Sequence, residues 1–359
     1  MGVDGEAIGR HGRFMPPLSR RPTQKQVAAL AGVTQSTVSL VLRNDPAISA
    51  ETKRRVNDAM EKLGYVPDPF LSGLAAYRKT LRKPTFHATL ALVSTHPEPG
   101  GWRGSPQFNA YWEGAVAQGR EMGYHLEEHS LCAPGMTPGR LTSILQSRAI
   151  RGLLLAPQQP PQEVPAMDWS KFAVVAFGYS ILRPVTHVVT VHQYRAMETA
   201  FRKCLELGYK RPGLAMSMES DERAKGMWSA AFWKMQNTRP ASRRVKPFMP
   251  VDLTFDGLVE WADRHRPDVV ISIDPRIETW LVKSGRRVPE DIGFVHLSVP
   301  LGEPRYAGIS ENPMTIGRKG MALLIGMVQH GEIGLPEVPN YLLVEGTWRD
   351  GRTVRRVDA

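Results

Sequence analysis

Cysteine and long apolar runs are both scarce in this sequence. Only two of its 359 residues are cysteines, and they stand far apart without metal-ligand spacing. Such usage is typical of a reducing compartment and argues against a zinc site. No apolar run approaches the roughly 18 residues of a membrane-spanning helix, and the first twenty residues lack the hydrophobic stretch of a secretory signal. We therefore expect a cytoplasmic protein with no metal and no cofactor.

The motifs of common enzyme classes are also missing. The sequence has no Gly-rich phosphate loop, no Gly-x-Ser-x-Gly elbow and no acidic pair in a recognisable motif. Asp252, Asp256 and the histidines are scattered, which favours solvated side chains over catalytic ones. We therefore expect no enzymatic activity and name no catalytic residue.

Positive charge is concentrated near the N-terminus. The whole chain has a net charge of +11, and residues 1–83 hold 14 lysines and arginines against 7 acidic residues. A basic segment joined to a less basic body is typical of a nucleic-acid-binding protein. Residues 1–20 are predicted to be a disordered, solvated arm.

Three short helices are predicted in residues 21–67. Thr23 and Gln26 form a capping box at the start of the first helix. Thr34 and Ser49 are N-cap residues for the second and third helices. Two short helices joined by a tight turn and braced by a third form a helix-turn-helix, whose second helix lies in the DNA major groove.

Three stretches carry a family resemblance: Val27-Ala-x-x-Ala-Gly-Val-Thr-x-Ser-Thr-Val-Ser39, Thr52-Lys-Arg-Arg-Val56 and Leu63-Gly-Tyr-Val-Pro67. They resemble the DNA-binding head of the lac-repressor (LacI/GalR) family of transcriptional regulators. This resemblance implies two sets of DNA contacts. Bases would be read by Gln35, Ser36 and Leu40, and phosphates would be contacted by Thr23, Thr37, Ser39 and Arg43.

Leu40 departs from the family pattern. Many relatives carry arginine there, which suits guanine, whereas leucine offers only apolar contact to a thymine methyl group. Its alternative role is an additional side chain in the core of the head. Gln35 can pair with adenine through two hydrogen bonds.

Residues 68–84 are predicted to form a hinge helix and linker. Asp68 and Pro69 are suited to the N-cap and the first helical position. The following apolar segment is too short to be helical alone. The resemblance implies that Leu74 enters the minor groove and kinks the DNA. Alternatively, these residues are ordinary linker contacts to the body.

Residues 85–359 alternate predicted strands and helices. The predicted strands are Thr89–Val93, Arg151–Ala156, Ala173–Phe177, Pro212–Met216, Asp268–Ile273 and Ile292–Leu297. Such alternation builds parallel sheets with helices on both faces, here in two successive lobes. We therefore predict an α + α/β protein with a helix-turn-helix head and a two-lobed body. Ligands in such folds bind at the carboxyl ends of the strands.

The body resembles the effector domain of the same family, which is akin to periplasmic sugar-binding proteins. The matching stretches are Pro106-x-Phe108, Gly208-Tyr-Lys-Arg-x-Gly213, Arg223-x-x-Gly226 and Val288-Pro-Glu-Asp-Ile-Gly293. The resemblance implies that Phe108 lines the cleft, Arg223 contacts ligand oxygens and Asp274 accepts ligand hydroxyls. Competing roles are core packing for Phe108, a surface ion pair for Arg223 and a helix cap for Asp274, although the ligand role is favoured for Asp274.

The body also departs from the family pattern. His192 stands where relatives often carry aspartate, and His296-Leu-Ser298 replaces a usual Gly-Tyr/Phe-Asp. Four tryptophans could stack on a sugar ring or belong to the core: Trp102, Trp228, Trp233 and Trp280.

These resemblances together imply a transcriptional repressor of carbohydrate-use genes. Its partners would be a palindromic DNA operator and a small-molecule effector, a sugar or sugar derivative bound between the lobes. We expect a homodimer, because one head reads one half-site and two-fold symmetry matches a palindrome. No membrane partner is expected. The alternative function is a DNA-binding head fused to an enzymatic α/β domain.

Overall fold

The computed structural model describes residues 22–42, 45, 47–65, 86–98, 100–158 and 160–357. The chain divides into two compact units, residues 1–78 and 79–359, which are described separately. Three features of the sequence analysis lie outside the described residues: the arm 1–20, the segment 68–84 with Leu74, and Arg43. Within the described ranges, no helix has the length and apolar character needed to cross a lipid bilayer.

The described part of the first unit is a bundle of three helices. They are α1 (Gln24–Ala31), α2 (Gln35–Leu42) and α3 (Ala50–Leu63). The predicted capping box is confirmed: the backbone N of Gln26 donates to Thr23 Oγ1 at 3.4 Å, and the backbone N of Thr23 donates to Gln26 Oε1 at 2.8 Å. These bonds satisfy N–H groups that have no partner within the helix.

A small apolar core holds the three helices together. Val27, Val38 and Val56, one from each helix, are fully buried. The Arg55 guanidinium on α3 donates to the carbonyl of Ala31 at 2.5 Å, at the C-terminal end of α1. The last carbonyl groups of a helix accept no hydrogen bond from within that helix, so Arg55 supplies a donor to one of them. The predicted helix-turn-helix arrangement is confirmed.

The second unit is built from strands and helices that alternate along the chain. Its strands are β1 (Ala88–Ser94), β2 (Tyr124–Ser130), β3 (Gly152–Leu155), β4 (Gln162–Glu163), β5 (Ala173–Phe177), β6 (Ile181–Arg183), β7 (His187–Val191), β8 (Pro212–Leu214), β9 (Val269–Ser272), β10 (Gly293–His296), β11 (Ala307–Ser310), β12 (Tyr341–Val344) and β13 (Thr347–Arg349). Its helices are α4 (Pro106–Glu121), α5 (Pro138–Ser147), α6 (Gln193–Glu206), α7 (Met218–Arg223), α8 (Met227–Asn237), α9 (Phe255–His265), α10 (Arg276–Lys283) and α11 (Pro313–His330).

Two mainly parallel sheets organise this unit. A six-stranded sheet has the order β12-β7-β5-β3-β1-β2, and a five-stranded sheet has the order β13-β11-β10-β9-β8. Within the five-stranded sheet, β13 pairs antiparallel with β11 and the other pairs are parallel. Strands β4 and β6 form a separate parallel pair. The predicted two-lobed α/β body is confirmed.

The sequence predicted two successive lobes, and this prediction is wrong. Each lobe is built from two separate stretches of the chain. Lobe 1 comprises residues 86–191 and 313–344, and lobe 2 comprises residues 192–310 and 345–357. Helix α11 packs against the core of lobe 1 and β12 pairs with β7 before β13 returns to lobe 2. Within residues 86–357 the chain therefore crosses between the lobes three times.

Strand β2 was missed because its sequence is polar. It lies at the edge of the six-stranded sheet, where His125, Glu127 and His129 remain partly or fully exposed. His125 and His129 also have the spacing of a metal-binding pair on a helix. On a strand, four residues span about 13 Å, so the two imidazoles are too far apart to share an ion.

The second and third crossovers are joined by Asn312. Its Nδ2 donates to the carbonyl of Glu345 at 2.8 Å, and its Oδ1 accepts from Thr347 Oγ1 at 3.2 Å. Arg195, which follows the first crossover, forms an ion pair with Glu345 at 3.4 Å. The three connections between the lobes are therefore bonded to one another.

Helices α4 and α11 approach closely through glycine. A Cβ atom at Gly114 would collide with the carbonyl of Met314, and one at Gly317 would collide with the carbonyl of Tyr111. Only a residue without a side chain lets the two backbones come this near. By contrast, a Cβ atom at Gly326, further along α11, would meet no atom within 4 Å.

We predict that Gly317→Ala destabilises the body by roughly 1–3 kcal/mol, because the added methyl group forces the helices apart. Gly326→Ala is the matched control on the same helix and should be neutral or stabilising by about 0.5–1 kcal/mol. The measurement is urea unfolding followed by tryptophan fluorescence, since all eight tryptophans lie in the second unit. Equal stability of the two variants would contradict the close approach.

Candidate functional sites in the two units

The exposed face of α2 is the candidate DNA-contacting surface of the head. Gln35 and Ser36 are exposed at the start of the helix, whereas Val38 and Val41 face the core. Thr34 Oγ1 accepts from the backbone N of Thr37 at 3.2 Å, which caps α2 as expected. Gln35 and Ser36 thus begin the second helix of the helix-turn-helix with their side chains towards solvent. Their contacts with bases remain predictions.

Leu40 lies on the same helix and is partly buried. The apolar side chains packed on the core of the head include Val33, Leu42 and Ile48, but among the described residues Leu40 is not one of them. The alternative role of Leu40 as a core side chain is therefore not supported by its packing.

A cavity of about 370 Å³ lies between the two lobes of the body. Its lining contains residues at or just beyond the carboxyl ends of strands, where ligands bind in parallel α/β sheets. Tyr179 follows β5, Gln193 follows β7, His296 ends β10, Ser298 lies just beyond it, and Glu311 follows β11. Helices α4, α7 and α8 complete the lining with Gln107, Phe108, Tyr111, Arg223 and Trp228.

A polar bridge crosses this cavity from lobe 1 to lobe 2. Gln107 Nε2 donates to Ser298 Oγ at 3.2 Å. Glu311, at the second crossover, is 9% exposed and bonded to both side chains. Burial raises the pKa of the Glu311 carboxyl, while hydrogen bonds from Ser298 and Gln107 and the charge of Arg223 act in the opposite direction. The bridge links the two lobes through uncharged hydrogen bonds and one buried carboxyl group.

His296 is held in the cavity wall as a neutral imidazole. It is 3% exposed, and its Nδ1 accepts from the backbone N of Ser298 at 3.1 Å. Burial lowers the pKa of His296 to about 4, although the negative charge of Asp274 acts in the opposite direction. Since Nδ1 is the acceptor, the single proton of the neutral ring lies on Nε2.

Four buried polar atoms in this lining have no hydrogen-bond partner among the described residues. They are Gln107 Oε1, Gln193 Oε1, Trp228 Nε1 and His296 Nε2. Buried polar atoms are nearly always bonded in folded proteins, so four such atoms in one cavity are unusual. The arrangement is that of a site prepared for a polar ligand.

Comparisons with known proteins identify the head first. Residues 23–68 match the model of the bacterial regulatory proteins of the lacI family. The transcriptional regulator CelR of Thermobifida fusca is 25% identical, over 86% of this chain and 92% of that protein. Residues 23–68 are therefore a lacI-family DNA-binding domain. The chain is a DNA-binding transcriptional regulator.

Solved structures of lacI-family proteins share the fold of both units. The CelR–cellobiose complex is 22% identical and covers 93% of this chain and 100% of that one, with a TM-score of 0.50. The lac repressor dimer bound to operator and the anti-inducer ONPF is 15% identical and covers 94% and 100%, with a TM-score of 0.51. CelR of Thermobifida fusca, which matches this chain over most of its length, is a transcriptional regulator, so the alternative of an enzymatic domain finds no support there.

The structure places two of the three predicted effector residues in the cavity lining. Phe108 lines the cavity and also packs against the core of lobe 1, so both of its proposed roles are compatible with its position. Arg223 lines the cavity, is exposed, and forms no ion pair with any residue that the structure describes. Their contacts with a ligand remain predictions.

Asp274 occupies a different environment. Its neighbours Ile273 and Pro275 line the cavity, but Asp274 itself is not among the described lining residues. Its carboxylate accepts from the backbone N of Arg276 at 2.9 Å and from the guanidinium of the same residue at 2.6 Å. Asp274 thus accepts one backbone N–H at the start of α10, whose N-cap residue is Pro275. Its ligand role stays a prediction.

The positions that depart from the lacI-family pattern have distinct roles. His192 Nδ1 accepts from the backbone N of Arg195 at 3.5 Å and thereby caps α6. Of the four tryptophans considered, Trp228 lines the cavity, Trp102 donates to Glu128 at 3.0 Å, Trp280 packs on the core of lobe 2 and Trp233 is 46% exposed. Gln107, Gln193 and Glu311 also line the cavity, but no motif in the sequence indicated this position.

We predict that the stability of the body falls as pH decreases from 6.5 towards 4, in part because of His296. The folded state holds the pKa of His296 at about 4, below the ordinary value of 6.5. In this range the unfolded chain therefore binds the proton more readily, and the stabilisation present above pH 6.5 is lost as the pH falls. The full effect is about 3 kcal/mol.

Urea unfolding at pH 7 and pH 4, followed by tryptophan fluorescence, measures this loss. His296→Gln should show a smaller loss than the wild type, whereas His330→Gln, at a histidine whose side chain is 74% exposed, should retain it. The raised pKa of Glu311 acts with the opposite sign, but it is common to all three proteins and does not enter their difference. An unchanged loss in His296→Gln would disprove the assignment.

Proposed function

We propose that this regulator is a repressor whose operator affinity is controlled by a small polar ligand bound between the two lobes. The observation that supports ligand control most directly is the cavity lined by four unpartnered buried polar atoms. A sugar or sugar derivative suits that lining, and the CelR–cellobiose complex shows a sugar ligand on a protein of the same fold. The regulated genes would then serve carbohydrate use, and the protein would act in the cytoplasm.

On the DNA side, the exposed start of α2 supports base reading by Gln35, Ser36 and Leu40. Thr23, the N-cap residue of α1, would contact phosphates together with Thr37 and Ser39 of α2. Arg43 would do the same. Leu74 would enter the minor groove between two half-sites. Phosphate contacts orient the head, whereas base contacts determine the sequence that is read.

Ligand control requires that the ligand binds one arrangement of the lobes better than another. The lining of the cavity comes from both lobes and from the crossover at Glu311. A ligand bound there would therefore make different contacts in different arrangements of the lobes. A ligand that contacts both lobes favours their closed arrangement. In a homodimer, that change would alter the spacing of the two heads and hence the fit to a palindromic operator.

The test of the whole proposal is selection of bound sites from a random DNA pool by the full chain. Selection is repeated with cellobiose, glucose, galactose and xylose. A palindromic consensus whose recovery changes with one of these sugars supports the proposal. Failure to enrich any sequence would contradict sequence-specific DNA binding, and enrichment unaffected by every sugar would contradict sugar control.

We predict that Gln35→Ala weakens binding to the selected site by about 1–3 kcal/mol and leaves non-specific binding unchanged, because it removes a base contact. Asn57→Ala is the matched amide control, since Asn57 is exposed and belongs to α3 instead of α2. The measurement is a DNA-binding titration on the selected site and on an unrelated duplex. Equal weakening on both DNAs would show that Gln35 orients the head instead of reading bases.

A further inference from the structure

We infer that Trp228 and His296 determine the ligand specificity of the inter-lobe cavity, and that they select the uncharged, hydroxyl-bearing part of a small ligand. This inference rests on the proposed function of the cavity as the regulatory ligand site. It assigns the recognition to residues other than Arg223 and Asp274, which the family resemblance had indicated.

Trp228 and His296 are fixed hydrogen-bond donors. Trp228 is 5% exposed and its indole nitrogen can only donate. His296 is 3% exposed, and the bond that Nδ1 accepts from the Ser298 backbone leaves Nε2 as the donor. Among the residues that the structure describes, neither donor has an acceptor. A ligand that satisfies both must accept two hydrogen bonds from lobe 2.

Two glutamines of the lining require hydrogen-bond donors on the ligand. Gln107 directs its Nε2 to Ser298 and leaves its Oε1 without a donor in the described part of the chain. Gln193 Oε1, at the start of α6, is in the same condition. Hydroxyl groups both donate and accept, whereas ether oxygens cannot donate and ammonium groups cannot accept. A ligand with several hydroxyl groups therefore satisfies all four atoms.

The charges of the lining favour a ligand whose buried part is neutral. Arg223 is the cationic side chain in the described lining, and it is exposed. The buried ionisable groups of the described lining are Tyr111, Glu311 and His296, and burial favours the neutral form of all three. An anionic group placed deep in the cavity would lose its hydration without gaining a buried cation.

The first test compares binding of neutral and charged sugars to the full chain by calorimetry. The neutral probes are cellobiose, glucose, galactose and xylose, and the charged probes are gluconate, galacturonate and glucosamine. We expect the tightest binder to be neutral. A charged tightest binder, or no binding by any probe, would overturn the inference.

The second test removes each donor while keeping an aromatic ring. Trp228→Phe and His296→Phe should each weaken the tightest neutral binder about tenfold, the effect of leaving a buried acceptor unsatisfied. Trp261→Phe is the matched control, because the Trp261 indole donates to the carbonyl of Lys246 at 2.7 Å and does not line the cavity. His296→Gln restores a donor and should recover most of the affinity. Unchanged affinity in both phenylalanine variants would overturn the assignment.

The third test needs no ligand. Nitrogen-15 spectra of the histidine rings report which nitrogen carries the proton, and His296→Gln identifies the signal of His296. At pH 7 the proton should lie on Nε2, and a proton on Nδ1 would refute the donor role. Failure of the proposed function has a different signature, in which a neutral sugar binds through Trp228 and His296 but leaves operator affinity unchanged.

Discussion

The connectivity between the lobes determines most of what the body presents to a ligand. Residues 86–357 cross between the two sheets three times, and the crossings follow β7, β11 and β12. Parallel strands direct their carboxyl ends to one edge of a sheet, and ligand sites form at that edge. Gln193, His296 and Glu311 therefore reach the same cavity although they are distant in sequence. The close approach of α4 and α11 then holds the returning helix against lobe 1.

The cavity combines a well-bonded frame with unpartnered atoms. Asn312 ties the second and third crossovers together, and Gln107, Ser298 and Glu311 form a hydrogen-bonded bridge between the lobes. Beside this frame, four buried polar atoms have no partner among the described residues. Proteins tolerate such atoms mainly where function requires them, since each costs stability. The hydrogen-bonded residues therefore shape the cavity, whereas the four unpartnered atoms would bind the ligand.

How well the site could be predicted differs between the head and the body. The capping residues of the head act over three or four positions, so Thr23, Gln26 and Thr34 specify helix starts in any context. The outward face of α2 follows from the helical period alone. In the body, Phe108 and Arg223 were found through family motifs, whereas Gln107 and Glu311 were not. Gln107 and Glu311 are polar residues without a recognisable motif in the sequence. Only their position next to each other in the cavity distinguishes them.

The sequence by itself determined the helix-turn-helix, the alternation of strands and helices and the separation of a basic head from an α/β body. These properties depend on local capping, hydrophobic period and composition, which neighbouring residues carry. Only the tertiary structure decided that α11 and β12 return to lobe 1 and that Gln193, His296 and Glu311 line one cavity. Both outcomes depend on contacts between residues far apart in the chain, and no local pattern encodes them.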